Sequence, residues 1–164
     1  MNWLKKRLKE KPVIPFQDTI PIRGEVHIVL RDKDGWIQDE RIIKNTVTAL
    51  GDAWVAQRIT SGTAGTAMGY MAVGVGTPTS TALGSQLDRN ALTSTTQGSG
   101  ADDNDVIYVG DWAAGDATGA ITEAGIFNGS GTAGTMYVSS SFGVVTKGTT
   151  DAMQIIWTNT HGTS

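Results

Sequence analysis

The chain has 164 residues, a formal net charge of −3 and no cysteine. This length fits one domain that can bury a core without disulfides. The lack of cysteine excludes disulfides, thiolate metal sites and a cysteine nucleophile. Glycine, threonine and serine number 21, 22 and 10, whereas only 18% of residues are charged. This composition favours strands and turns. It is typical of a surface that neighbouring molecules cover, or of a secreted β-domain with a polar, uncharged surface.

Charge is concentrated at the start of the chain. Residues 1–11 carry a local charge of +4, which leaves −7 for residues 12–164. An apolar stripe within residues 1–11 predicts a short amphipathic helix that needs a partner surface, with a solubilising tail as the alternative. We expect no membrane partner, because neither a signal-peptide core nor a run of 18 apolar residues is present.

Three prolines, Pro12, Pro15 and Pro21, predict an extended segment, because each fixes its own φ and restricts the residue before it. The side chains between them are too apolar for a free linker. We therefore expect an N-terminal arm over residues 1–21 and a β-domain over residues 22–164. The expected interface anchors of the arm are its large apolar residues: Trp3, Leu4, Leu8, Val13, Ile14 and Phe16.

Alternating apolar and polar residues predict a half-buried strand over residues 22–30. A turn signal at residues 32–35 separates it from a second strand over residues 36–43, so the two form a hairpin. The segment 86–96 predicts a polar strand at a sheet edge. Regular turn signals between short strands point to an all-β sandwich or barrel, jelly-roll-like, with about eight strands. The other predicted strands cover residues 68–75, 106–112, 120–127, 135–145 and 152–160.

One helix is predicted in the body, over residues 45–59. Val47, Leu50, Trp54, Val55 and Ile59 recur at helical spacing. Asn45, Thr46 or Thr48 is expected to cap its start. Gly51 weakens the helix by about 1 kcal/mol relative to alanine, so tertiary packing must hold it.

No catalytic motif is present. The chain lacks a phosphate-binding Gly-Lys pair and a Gly-x-Ser-x-Gly elbow. His27 and His161 are isolated and are expected at a surface or interface, and Glu123 is a single carboxylate on a strand. The acidic run 102–105 is expected to be a solvated loop, with a weak cation site as the alternative. We therefore expect no enzyme, no cofactor and no metal, and no nucleic-acid partner because the body is acidic.

Three segments resemble tailed-phage structural proteins. The first is a strand followed by a helix, from Gly24 through Asn45 to Ile59. The second is the run Met71–Ser80, of the form "apolar-Val-Gly-x-Gly-Thr", followed by Leu87 and Arg89. The third is Ile121–Asn128, similar to the "TEAGLF" stretch of phage virion and tail-fibre collar proteins, and it continues to Trp157–Thr158.

The resemblance implies a role in structure and assembly, with framework residues and no active site. It favours a capsid decoration (cement) protein on the virion surface, bound to the major capsid protein or to copies of itself, with a trimer expected. A tail component such as a fibre, collar or baseplate protein is the alternative. A carbohydrate-binding β-domain is a third reading, because aromatic side chains could stack on sugars: Trp36, Tyr70, Tyr108, Trp112 and Trp157.

Overall fold

The computed structural model describes residues 21–60 and 65–162, which form a β-sandwich with one α-helix. Two five-stranded antiparallel sheets face each other, so the fold is a sandwich with free sheet edges. The helix α1 covers Ala49–Thr60. The strands are β1 Ile22–Arg31, β2 Ile37–Lys44, β3 Thr46–Val47, β4 Tyr70–Gly74, β5 Gln86–Ala91, β6 Ser94–Gln97, β7 Asp105–Trp112, β8 Gly119–Phe127, β9 Met136–Lys147 and β10 Ala152–His161.

Sheet A has the strand order β2-β1-β10-β7-β6, and sheet B has the order β3-β9-β8-β4-β5. Four pairs of consecutive strands form hairpins within one sheet: β1/β2, β4/β5, β6/β7 and β8/β9. The predicted first hairpin is confirmed. The edge position predicted for the polar segment 86–96 is also confirmed, because β5 and β6 are both edge strands.

The core lies between the sheets and is built on large aromatic and aliphatic side chains. Trp112 and Trp157 are almost completely buried, and Tyr108 is 6% exposed. On β1 the predicted alternation is confirmed, since Val26 and Ile28 enter the core whereas Glu25 faces outward and is exposed. Burial of this kind is the main stabilising term of such a sandwich.

The predicted strand 86–96 is two strands in the structure. The chain changes sheets between them: Leu92 N donates to Gly69 O, and Thr93 N donates to Val109 O. Gly69 precedes a strand of sheet B, whereas Val109 belongs to sheet A. Because Leu92 and Thr93 pair with different sheets, the polar run 86–96 forms an edge strand on each of the two sheets.

The predicted helix begins four residues too early. Thr46 and Val47 form β3 against β9, and the helix begins at Ala49. Thr48 caps it, because the Gly51 N–H donates to Thr48 Oγ1 at 2.9 Å. A side chain at Gly51 would collide with the Tyr137 carbonyl oxygen. The glycine that weakens the helix is therefore needed for its close contact with sheet B.

Arg41 joins the two sheets along the edge formed by β2. Its guanidinium donates to Gly143 O at 2.6 Å and to Val144 O at 2.7 Å, where β9 bulges away from its ladder. Asp39 binds the same guanidinium at 2.6 Å, and this hydrogen bond lowers the pKa of Asp39. The pair closes this side of the sandwich and satisfies carbonyl groups that the bulge leaves unpaired.

Candidate interaction surfaces

The second and third segments of the sequence resemblance meet on the outer face of sheet B. Gly74 lies opposite Glu123 in the pairing of β4 with β8. Glu123 is completely buried, and its carboxylate accepts hydrogen bonds from Gly84 N at 2.8 Å and Ser85 N at 2.9 Å. A side chain at Gly74 would collide with the Ser85 carbonyl oxygen. Glu123 thus holds the loop between β4 and β5 against the sheet.

Thr122 makes a second link between the same two segments. Its hydroxyl accepts from Gly76 N at 2.7 Å and lies 3.0 Å from Gly76 O, to which it can donate. Gly76 has φ +125°, a conformation that favours glycine. The glycines of the "Val-Gly-x-Gly-Thr" run are therefore explained by close backbone approach and turn geometry.

Arg89 and Phe127 extend this network to the loop between β8 and β9. The Arg89 guanidinium lies 3.6 Å from the centre of the Phe127 ring, a cation–π contact. It donates to Gly129 O at 2.9 Å and Ala133 O at 2.6 Å. Two loops therefore close the outer face of sheet B over a small apolar cluster: Ala72, Phe127 and Met136, with Tyr70 and Leu83 beside them.

The significance of Glu123 was missed by the sequence analysis, which treated it as a lone carboxylate. Its partners lie nearly forty residues upstream, and strand order is needed to bring them together. The one local signal is a charged residue on a strand between Ile121 and the apolar run from Ala124. Both carboxylate oxygens of Glu123 accept hydrogen bonds from backbone N–H groups, so the side chain anchors the loop between β4 and β5.

The outer face of sheet A is different, because no loop of the described residues covers it. Ile156 on β10 lies opposite Val109 on β7 and opposite His27 on β1, and His27 lies opposite Ile42 on β2. Ile42 is 64% exposed, whereas Val109 and Ile156 are half-buried. Three aliphatic side chains and His27 therefore form a row across this sheet on its solvent side.

A second exposed apolar feature is the tip of the β1/β2 hairpin. Trp36 is 74% exposed, although sequence alternation placed it in β2. The Asp32 carboxylate orders the turn by accepting from Asp34 N and Trp36 N, both at 2.9 Å. An exposed tryptophan on an ordered turn is a typical anchor for a protein partner.

The candidate sugar-stacking residues are mostly unavailable on the surface. Trp112 and Trp157 lie in the core with Tyr108, and Tyr70 is half-buried beside the outer cluster of sheet B. Of the five, Trp36 alone is exposed. A sugar site would normally need a second platform or a cluster of polar groups beside it.

The two histidines have structural contacts. His27 lies 2.8 Å from the Glu40 carboxylate on the outer face of sheet A. His161 is half-buried rather than on the open surface: its Nε2 lies 3.1 Å from the Tyr137 hydroxyl, and the two rings stack. Burial lowers the pKa of His161, partly opposed by the Asp105 charge.

A buried lysine was also missed. Lys147 is 1% exposed, and its ammonium donates to Ala113 O at 2.8 Å. Burial lowers its pKa, whereas the nearby carboxylates of Asp116 and Asp151 raise it. The contact fixes the loop between β7 and β8.

The acidic run 102–105 connects a short 3-10 turn, Gly100–Asp102, to β7, which begins at Asp105. Asp102 and Asp103 are exposed. Within residues 21–60 and 65–162, no three His, Cys, Asp or Glu side chains come together as metal ligands. The same part of the chain contains no helix that is long and apolar enough to cross a membrane.

The predicted arm anchors cannot be placed on this framework. Trp3, Leu4, Leu8, Val13, Ile14 and Phe16 lie outside the described residues. The structure does show where they join the body, since β1 begins at Ile22 in the middle part of sheet A.

No protein-family model, curated protein or solved structure matches the chain.

Proposed function

We propose that this protein is a structural component of a tailed-phage virion, and specifically a decoration protein that binds the capsid surface. The supporting observation is the contact between the two sequence segments that resemble such proteins. The run around Gly74 and Gly76 and the run around Thr122 and Glu123 form one hydrogen-bonded framework. Both segments are used to build the fold, as the resemblance implies.

The distribution of apolar surface also supports an assembly role. Large apolar side chains are exposed on the hairpin tip and on β2, while charged residues make up only 18% of the chain. Trp36 and Ile42 are in this group. Exposed apolar residues on a body of low charge favour burial against protein partners.

In this role the protein acts by binding alone. A decoration protein that binds the assembled shell and not its separated subunits stabilises the shell by mass action. Contacts with the major capsid protein hold each copy in place, and contacts between copies, as a trimer, link neighbouring capsid positions. No covalent step is required.

The test is the number and position of copies on purified virions that contain the protein. Quantitative mass spectrometry is expected to give hundreds of copies per particle, and gold-labelled antibody is expected to mark the faces of the head. A few copies, with label on the tail, would support the tail alternative instead. Absence of the protein from purified virions would overturn both.

A further inference from the structure

The free edge of sheet A is the strongest unexplained feature of the described chain. β2 spans eight residues, Ile37–Lys44, and pairs with β1 alone. An edge strand of this length presents a row of backbone N–H and C=O groups to a partner strand. The other edge of the sheet, β6, has four residues, all exposed and polar. The two edges are therefore not equivalent.

Apolar side chains accompany the free edge. Ile42 and Ile37 are 64% and 49% exposed, and Trp36 just before the strand is 74% exposed. Pairing with β1 places Ile37 and Ile42 on the outer face, opposite Arg31 and His27. A strand added beside β2 would thus find aliphatic neighbours as well as backbone partners.

We propose that residues 13–20 of a second copy of this chain add to the free edge of β2 as a further strand. This inference rests on the proposed function, since it names the contact by which copies join. The segment has eight residues, the same number as β2, and its sequence is Val-Ile-Pro-Phe-Gln-Asp-Thr-Ile.

The proline positions fit a strand that pairs on one side only. In an extended chain, successive N–H groups point alternately to opposite sides. Pro15 and Pro21 are both odd-numbered, so the N–H groups that they lack would all lie on one side of the strand. The even-numbered residues 14, 16, 18 and 20 keep all their backbone N–H donors on the opposite side. The same alternation puts Ile14, Phe16 and Ile20 on one face of the strand. Pro15 therefore faces away from β2.

The geometry of the junction favours a second copy over the same chain. Gly162 N donates to Pro21 O at 2.9 Å, which keeps Pro21 in line with β1. Proline also holds the residue before it extended. Pro21 therefore continues the line of β1, and pairing of the preceding segment with β2 of the same chain would require a reversal of the chain at this point.

Charge supports the exchange between copies. Residues 1–20 contain five Lys or Arg residues against Glu10 and Asp18, a net charge of +3, which leaves −6 on the rest of the chain. The five basic residues lie at positions 5–11, just before the segment, whereas residues 13–20 themselves carry only Asp18. It is this basic stretch of one copy that is attracted to the acidic body of another. Inward-facing Asp39 and Arg41 oppose the indiscriminate pairing of two β2 edges.

A cleft of about 570 Å³ lies at the Lys44 end of this edge. It is bounded by the start of β1 and the end of β2, including Ile22, Glu25 and Asn45. It offers room for a large side chain of the added strand beyond the end of β2.

Cross-linking tests the contact directly, because the natural chain has no cysteine. Full-length Gln17→Cys and Glu40→Cys variants are mixed and treated with a short bis-maleimide linker. We expect a cross-linked heterodimer, with Gln17→Cys plus Gln57→Cys as the matched control, since Gln57 is exposed on the helix. Equal yields in the two mixtures would overturn the proposal.

A double variant, Gln17→Cys with Glu40→Cys, separates exchange from self-pairing. Linked dimers and larger species are expected at every protein concentration that supports association. A link formed only within single chains would contradict the second-copy assignment.

Association in solution gives an independent measurement. Sedimentation equilibrium of full-length Ile42→Lys and Phe16→Asp is expected to show at least tenfold weaker association than the natural chain. Ile59→Lys, at a residue that is 78% exposed on the helix, is expected to associate normally. Unchanged association of the first two variants would overturn the inference.

These experiments distinguish failure of the strand exchange from failure of the proposed function. Copies on virions without the Gln17–Glu40 link would leave the function standing and remove the strand exchange. If the Gln17–Glu40 link forms in a protein that is absent from virions, the strand exchange stands and the proposed function is removed.

Discussion

Both outer faces of the sandwich carry apolar side chains, but the two faces differ in how these side chains are covered. On sheet B, the aliphatic and aromatic side chains are covered by the chain's own loops, which Glu123 and Arg89 hold in place. On sheet A, no loop of residues 21–60 and 65–162 covers the exposed Ile42 or the half-buried Val109 and Ile156, and β2 pairs on one side only within these residues. The chain's own loops cover the apolar cluster on one face, and under the proposed function the other face binds a partner.

Replacement of Glu123 by alanine is expected to have the largest effect on the closed face. It removes the charged acceptor of the Gly84 and Ser85 N–H groups, and a hydrogen bond to a charged group contributes about 1.5–3 kcal/mol. We expect a loss of about 3 kcal/mol in the free energy of unfolding, measured by urea denaturation. Glu123→Gln keeps one acceptor oxygen and is expected to lose less. Equal losses in the two variants would contradict the role of the retained acceptor, since glutamine keeps one acceptor oxygen and fills the same volume as glutamate.

Replacement of Arg89 by alanine is expected to open the loop between β8 and β9. The variant loses the cation–π contact with Phe127 and the bonds to Gly129 and Ala133, together about 2 kcal/mol. Hydrogen exchange should rise over residues 128–135 and stay unchanged on β2. Arg89→Lys keeps the charge without the planar fork and is expected to fall in between. If hydrogen exchange rose equally on both outer faces, the two faces would not be independent of each other.

Much of the closed face was not predictable from the chain alone. Alternation predicted the correct faces of β1, and the turn signal at 32–35 predicted the first hairpin, because those patterns are local. Strand order is not local. The contact of Glu123 with Ser85, the sheet change at Leu92 and the pairing of Thr46 with Ser139 all depend on which strands become neighbours.

The open face could not be foreseen for the same reason. Ile37 and Ile42 read as ordinary half-buried positions until β2 is known to be an edge strand with one partner. The proline-spaced segment carries a clearer local signal, since its apolar content is unusual for a free linker.

The end of the sandwich where Tyr137 at the start of β9 contacts His161 at the end of β10 is expected to respond to pH. Burial keeps the pKa of His161 below its unfolded value of about 6.5. The folded state therefore resists protonation that the unfolded state accepts. Stability from this group is complete above pH 6.5 and falls as the pH drops below it.

Thermal unfolding between pH 7.5 and 5.5 measures this dependence, and His161→Gln is the control. The melting temperature of the natural chain is expected to fall more steeply than that of the variant. Because His161 contacts Tyr137 and not the outer faces, neither face should show faster hydrogen exchange. If the melting temperatures of the natural chain and the variant changed in parallel with pH, the role of His161 would be contradicted.

The smallest change in stability is expected for Ile42→Thr on the open face. Ile42 is 64% exposed, so its replacement removes little buried area, and threonine also favours strands. Exposed substitutions of this kind usually change the free energy of unfolding by about 0.5 kcal/mol or less. A loss in the monomer as large as that of Arg89→Ala would show that the face of sheet A is closed after all. A variant whose monomer keeps its stability but whose self-association is weaker would instead distinguish the two faces. Apolar side chains would then stabilise the fold on sheet B and the assembly on sheet A.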